Sequence, residues 1–76
     1  MTEGEREQAI REHVEWCQEQ RAKAEEVLAD IAEGWTFHEA HGREEMRDVT
    51  AEYAVKQREI ISRMDRLISA YARRDA

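Results

Sequence analysis

Apolar or small residues recur at Ile10, Val14, Cys17, Ala24, Leu28 and Ile31, separated by fours and threes, with Arg21 in the one seam position left over. That spacing returns to one face of a helix every turn, so it predicts a long helix with a single packing stripe over residues 5–33. Gly34 stands where the helix should stop, because glycine accepts the positive φ that ends helices at low cost. Upstream, Glu3 and Glu7 fall on the extrapolated seam. The first turn or two therefore has nothing to bury and is expected to fray.

A second stripe runs through Tyr53, Gln57, Ile60, Met64, Leu67 and Tyr71, and Ala54, Ile61 and Ile68 form a neighbouring row at seven-residue spacing. It predicts a helix over residues 51–74, with Thr50 capping its free amides and Glu52 at the positive end of the helix dipole. The apolar arc of this helix is wider than one partner helix covers. Ile61, Met64, Ile68 and Tyr71 are thus the expected contact between two copies of the chain, as a homodimeric four-helix bundle.

Residues 34–50 connect the two helices. Trp35 and Phe37 alternate with Thr36 and His38 before Gly42 offers a turn. Two readings stand for this stretch. One is a short β-hairpin with arms near Trp35 to Glu39 and Glu45 to Val49; the other is an irregular loop with Trp35 and Phe37 tucked under the helix ends. The whole chain is then a single all-α domain, an antiparallel two-helix hairpin with a structured connector. If Ile31 faces Tyr53, Leu28 meets Gln57, Ala24 meets Ile60, Arg21 meets Met64 and Cys17 meets Leu67. That register also brings Arg21 close to Asp65.

Charge supports folding back. Residues 1–34 carry ten acids and four bases, residues 35–50 four acids and two bases, and residues 51–76 four acids and six bases. An acidic first helix beside a basic second one favours the hairpin over two separate helices. The formal net charge of −6 repels phosphate polyanions and anionic lipid, which argues against direct binding of nucleic acid or a membrane surface. With 76 residues, no proline and a lone cysteine, the chain is too short for a pocketed enzyme and cannot form an internal disulfide. No signal peptide or long apolar run stands out, so the expected compartment is the cytoplasm.

Candidate chemistry is sparse. His38, Glu39 and His41, with Glu44, Glu45 and Asp48 downstream, are ligand types that zinc accepts, but the spacing matches no zinc or di-iron motif. Solvated connector residues are the expected reading, with no metal and no cofactor. Glu44-Glu45-Met46-Arg47-Asp48 echoes the carboxylate motif of all-helical nucleotide pyrophosphohydrolases, where clustered acids hold magnesium. The second acidic motif those enzymes need is missing, so no catalytic residue is assigned. Cys17 takes an inward seam position, where a thiol packs as a small hydrophobe, and His13 borders the seam.

The feature that stands out is a row of carboxylates. Glu5, Glu12, Glu19, Glu26 and Glu33 recur every seven residues opposite the seam, with Glu15, Glu25 and Asp30 alongside. Outward heptad positions commonly carry charge for solubility alone, and that is the competing explanation. As a functional feature, the row makes a negative stripe ~40 Å long that can imitate a phosphate backbone. The expected partner-binding residues are Glu5, Glu12, Glu15, Glu19, Glu26, Glu33, Trp35 and Phe37, and the expected partner is a protein with a basic surface.

A long helix, a Gly-containing excursion, and Asp48-Val49-Thr50-Ala51-Glu52-Tyr53 leading into an Ile/Leu-rich helix that closes on Arg73-Arg74-Asp75 together resemble small prophage-encoded proteins of proteobacteria. The layout is similar to phage head–tail joining proteins of the W type over roughly residues 28–74. The first helix here is much longer and the middle less strand-like than in those proteins. The resemblance implies a phage setting, in which many proteins of this size inhibit host machinery, anti-CRISPR proteins among them. It also implies the alternative of a structural or connector role as a helical oligomer.

Overall fold

The computed structural model describes residues 2–40, 42 and 46–74. Two long helices, α1 (Glu3–Ala32) and α2 (Thr50–Arg74), lie antiparallel and are joined by a connector containing two-residue strands, β1 (His38–Glu39) and β2 (Arg47–Asp48). The expected helical hairpin is the fold observed. The molecule measures 54 × 27 × 14 Å, a slab one helix thick. Both broad faces of the helix pair are consequently open to solvent.

α1 begins two residues earlier than its apolar stripe requires. The first turn, which was expected to fray, is helical and capped: Thr2 is the N-cap, and its Oγ1 accepts the Glu5 amide at 3.2 Å. A capping hydroxyl and the acids Glu3 and Glu5 at the positive end of the dipole hold a turn that buries nothing. At the other end Gly34 adopts φ 106°, the Gly34 amide donates to Ile31 O at 3.0 Å, and the Trp35 amide donates to Asp30 O at 3.1 Å. These two bonds are the Schellman pattern, and they satisfy carbonyls that the helix leaves unpaired.

The core lies along the seam between α1 and α2 and is small: Cys17, Ala24, Val49, Ala54 and Met64 are the buried apolar residues, and Gln57 is buried with them. Cys17 and Ala24 are almost wholly excluded from solvent, so the fully covered positions of the α1 stripe are taken by small side chains. The larger aliphatics, among them Leu28, Ile60, Leu67 and Ile68, are only half-buried. A single layer of two helices cannot enclose side chains that project above and below it.

Two cross-helix contacts agree with the register read from the stripes. Arg21 Nε donates to Asp65 Oδ1 at 2.6 Å, and the His13 and Tyr71 rings meet edge to face at 5.2 Å. Arg21 also pairs with Glu25 one turn along α1.

The connector takes the hairpin form. β1 and β2 pair antiparallel, His38 opposite Asp48 and Glu39 opposite Arg47, and the Val49 amide donates to Phe37 O at 2.9 Å. The strands are shorter than the expected arms, and the expected arm start at Glu45 lies outside the described residues. Trp35 is 65% exposed and is not tucked under the helix ends, whereas Phe37 is half-buried and stacks on Tyr53 with centroids 4.6 Å apart.

Candidate binding surface

The acidic row is where the sequence places it. Glu5, Glu12, Glu15, Glu19 and Glu26 are exposed on α1 and Glu33 is exposed at its C-cap, all on the side turned away from the seam. A 30-residue helix without proline holds them on one rigid rod, with successive members of the row ~10 Å apart. Only Glu12 of the row engages in a side-chain hydrogen bond among the described residues, accepting from Gln8 Nε2 at 3.0 Å. These carboxylates therefore face water and are available to cations.

At the end of the row, Glu33, Gly34, Trp35 and Thr36 line a shallow open depression. The Schellman turn that stops α1 thus places an exposed indole directly beyond the last carboxylate. Phe37 is not part of that surface. Its ring, stacked on Tyr53, forms with Val49 the floor of a separate groove of about 370 Å³, bordered by His38, Glu39, Glu52 and Lys56.

The junction of connector and α2 is built differently from the expected cap. Thr50 does not offer its hydroxyl oxygen to the first amides of its own helix. That oxygen accepts the Phe37 amide at 2.9 Å, and the hydroxyl donates to Asp48 Oδ1 at 2.5 Å. Asp48 also accepts the Thr50 amide at 2.9 Å, so the carboxylate caps the helix and the hydroxyl ties the hairpin to it. Hydrogen bonds to its charged form, from the Thr50 hydroxyl first and the Thr50 amide second, hold Asp48 below the ordinary aspartate pKa. Beside Asp65, whose hydrogen bond is the leading cause, Arg21 is pushed above its already high value.

The four residues assigned to a dimer contact do not share one surface. Met64 is buried in the seam of its own chain. Ile61 and Ile68 stand one turn before and after Asp65, on the side where Arg21 makes its ion pair, whereas Tyr71 lies on the opposite side against His13. The sequence reading passed over Trp16. It is 48% exposed, stacks on His13 with centroids 5.7 Å apart, and heads a second row on α1 with Gln20, Val27 and Ile31. The signal for that row was its spacing of four, seven and four, hidden because it borders the main stripe.

Of the connector cluster considered for zinc or magnesium, His41, Glu44 and Glu45 lie outside the described residues. Among the described residues no three His, Cys, Asp or Glu side chains converge as metal ligands, and no helix is long and apolar enough to cross a membrane. Compared with protein-family models, curated proteins and solved structures, the chain matches none of them.

Proposed function

We propose that this chain is a small non-enzymatic binding protein that presents the outer face of α1 to a basic protein surface, one that normally holds nucleic acid. A single observation carries the reading: every carboxylate of the heptad row is exposed along one unbroken helix and its C-cap, ending beside the exposed Trp35. Partly desolvated carboxylate–arginine contacts contribute on the order of 1 kcal/mol each, so a row of them binds where one alone does not. The exposed indole supplies an apolar anchor at one end. The resemblance to prophage-encoded proteins supports a phage-type inhibitor, of the anti-CRISPR kind, working in the host cytoplasm.

Affinity capture from bacterial lysate, read by mass spectrometry at graded salt, tests this. The captured partner is expected to be a nucleic-acid-handling protein whose binding weakens steeply as salt rises. Reversing Glu12, Glu19 and Glu26 to Lys, with helicity checked by circular dichroism, is expected to abolish capture. Undiminished binding by that triple variant would sink the mimicry reading.

A second reading, a helical homodimer acting in phage assembly, is favoured by the half-buried aliphatics that flank the seam on a slab only 14 Å thick. Dimer formation is compatible with the first reading as well, because the carboxylate row points away from the seam.

A further inference from the structure

We propose that the open edge of β1 and the groove beside it take up an extended peptide segment of another protein, which joins the hairpin as a third strand antiparallel to β1. This surface shares no residue with the carboxylate row, so the inference stands independently of the function proposed above.

The ladder geometry opens the edge. Residues of an antiparallel pair alternate between exchanging both backbone hydrogen bonds and exchanging none. The Val49 amide donates to Phe37 O, so Phe37 and Glu39 direct their bonding groups toward β2. The intervening His38, opposite Asp48, therefore turns its N–H and C=O outward. Neither group has a hydrogen-bond partner among the described residues. His38 is exposed, and β1 has no strand on its outer side among those residues. An unpaired donor and acceptor on a sheet edge form the template on which extended backbone adds.

The groove borders this edge. Phe37, His38 and Glu39 line one side of it, Glu52, Tyr53 and Lys56 of α2 line the other, and neither residue of β2 is among the lining residues. In a strand paired antiparallel to β1, the residue opposite His38 exchanges both bonds with it, and the following residue lies opposite Phe37. Opposed residues project to the same face of a sheet. That following side chain thus points to the face on which Phe37 stacks against Tyr53, itself 36% exposed, with Val49 in the floor. Two backbone bonds hold a strand weakly, and the apolar floor adds to them by taking this one side chain out of water. The border carries acid and base together, Glu39 and Glu52 beside His38 and Lys56, and Glu52 lies 3.8 Å from Arg47. It selects no charge, so the segment it fits is extended and has an apolar residue between uncharged ones.

A second copy of the chain fits this place poorly. Two β1 strands paired about a two-fold axis at His38 would set Glu39 of each copy opposite Phe37 of the other, a carboxylate over an apolar floor. Phe37 of each copy is also held against its own Tyr53 and cannot fill the other's groove. The occupant is a segment of a different chain.

The probe is an acetylated, amidated threonine heptapeptide with leucine at its fifth position, titrated into the isotope-labelled protein and followed by amide NMR. Threonine favours extended backbone, and leucine sets the register. Shifts are expected at His38, Phe37, Tyr53 and Lys56. N-methylation of the threonine just before the leucine removes the N–H that His38 O accepts, and is expected to weaken binding about tenfold. Leucine to alanine is expected to weaken it by about the same factor. N-methylation of the leucine, whose N–H faces away from β1, is expected to leave affinity unchanged. All of these changes are made in the peptide, so the fold of the protein is untouched. Absence of shifts at millimolar peptide would overturn the proposal. Equal affinity for the two N-methylated peptides would overturn it too, because the groove would then capture a side chain without adding a strand. A chain that dimerises by itself with the His38 amide protected from exchange would give the edge to a second copy and overturn it as well.

Discussion

Arg21 and Asp65, forty-four positions apart in the chain, are joined by a hydrogen-bonded ion pair of 2.6 Å that locks α1 and α2 in register. Arg21 fills the one place in the α1 stripe where an apolar residue is missing, and the pair lets it stay there with its head at the edge of the seam. Both side chains remain roughly half in water, which limits what the pair contributes. Asp65→Asn and Arg21→Gln, singly and together in a double-mutant cycle followed by urea unfolding, are expected to give a small favourable coupling, as a solvent-screened pair does. The coupling should shrink in molar salt, as a screened surface pair does.

Gly34 provides a cleaner test of local geometry. A Cβ added there would touch nothing within 4 Å, so the effect of Gly34→Ala is conformational, arising from φ 106°. The expected loss is about 1–2 kcal/mol, which for a domain of this size lowers Tm by roughly 5–15 °C. Thermal melts by circular dichroism measure it directly.

Thr50→Val keeps the shape of the side chain and removes both hydroxyl bonds, leaving the Phe37 amide without its partner. A loss of about 1–3 kcal/mol follows from the part-buried amide, together with loosening of the hairpin. The pKa of Asp48, followed by NMR, is expected to rise toward the ordinary value in the variant. In the unaltered chain the folded pKa is depressed, so the stabilisation from Asp48 is complete above the ordinary aspartate pKa of ~3.9 and is lost as pH falls through the lower folded value. A Thr50→Val protein keeps the amide bond to Asp48 and loses the hydroxyl bond, so that acid-dependent component should be reduced in it.

Cys17 is fully buried between the helices. Its thiol should react with a soluble disulfide reagent only through opening of the hairpin, slowly in buffer and at once in strong urea. Cys17→Leu adds bulk at a fully buried position and is expected to cost about 1–3 kcal/mol, whereas Cys17→Ala is tolerated better. Reaction of the native thiol at the rate of a free cysteine would contradict this packing.

The helical hairpin, its register and the exposed carboxylate row could all be read from the sequence, because each depends on periodicity along one chain. A residue seven positions on returns to the same face whatever the partner, so Glu5 through Glu33 had to share a face, and opposite charge on two stripes favoured their pairing. Tertiary structure decided what periodicity does not encode. The side chain of Thr50 had two ways to satisfy nearby amides, and only the placement of Phe37 by the β1–β2 pairing turned its hydroxyl to the connector and left the cap to Asp48. Met64, Ile61 and Tyr71 belong to one broad arc on a helical wheel, yet the position of the second helix buries the first and sends the other two to opposite faces of the slab. Trp16 stays half-exposed for the same reason: which edge of a stripe remains uncovered depends on the angle at which its partner lies against it, and spacing alone does not specify that angle.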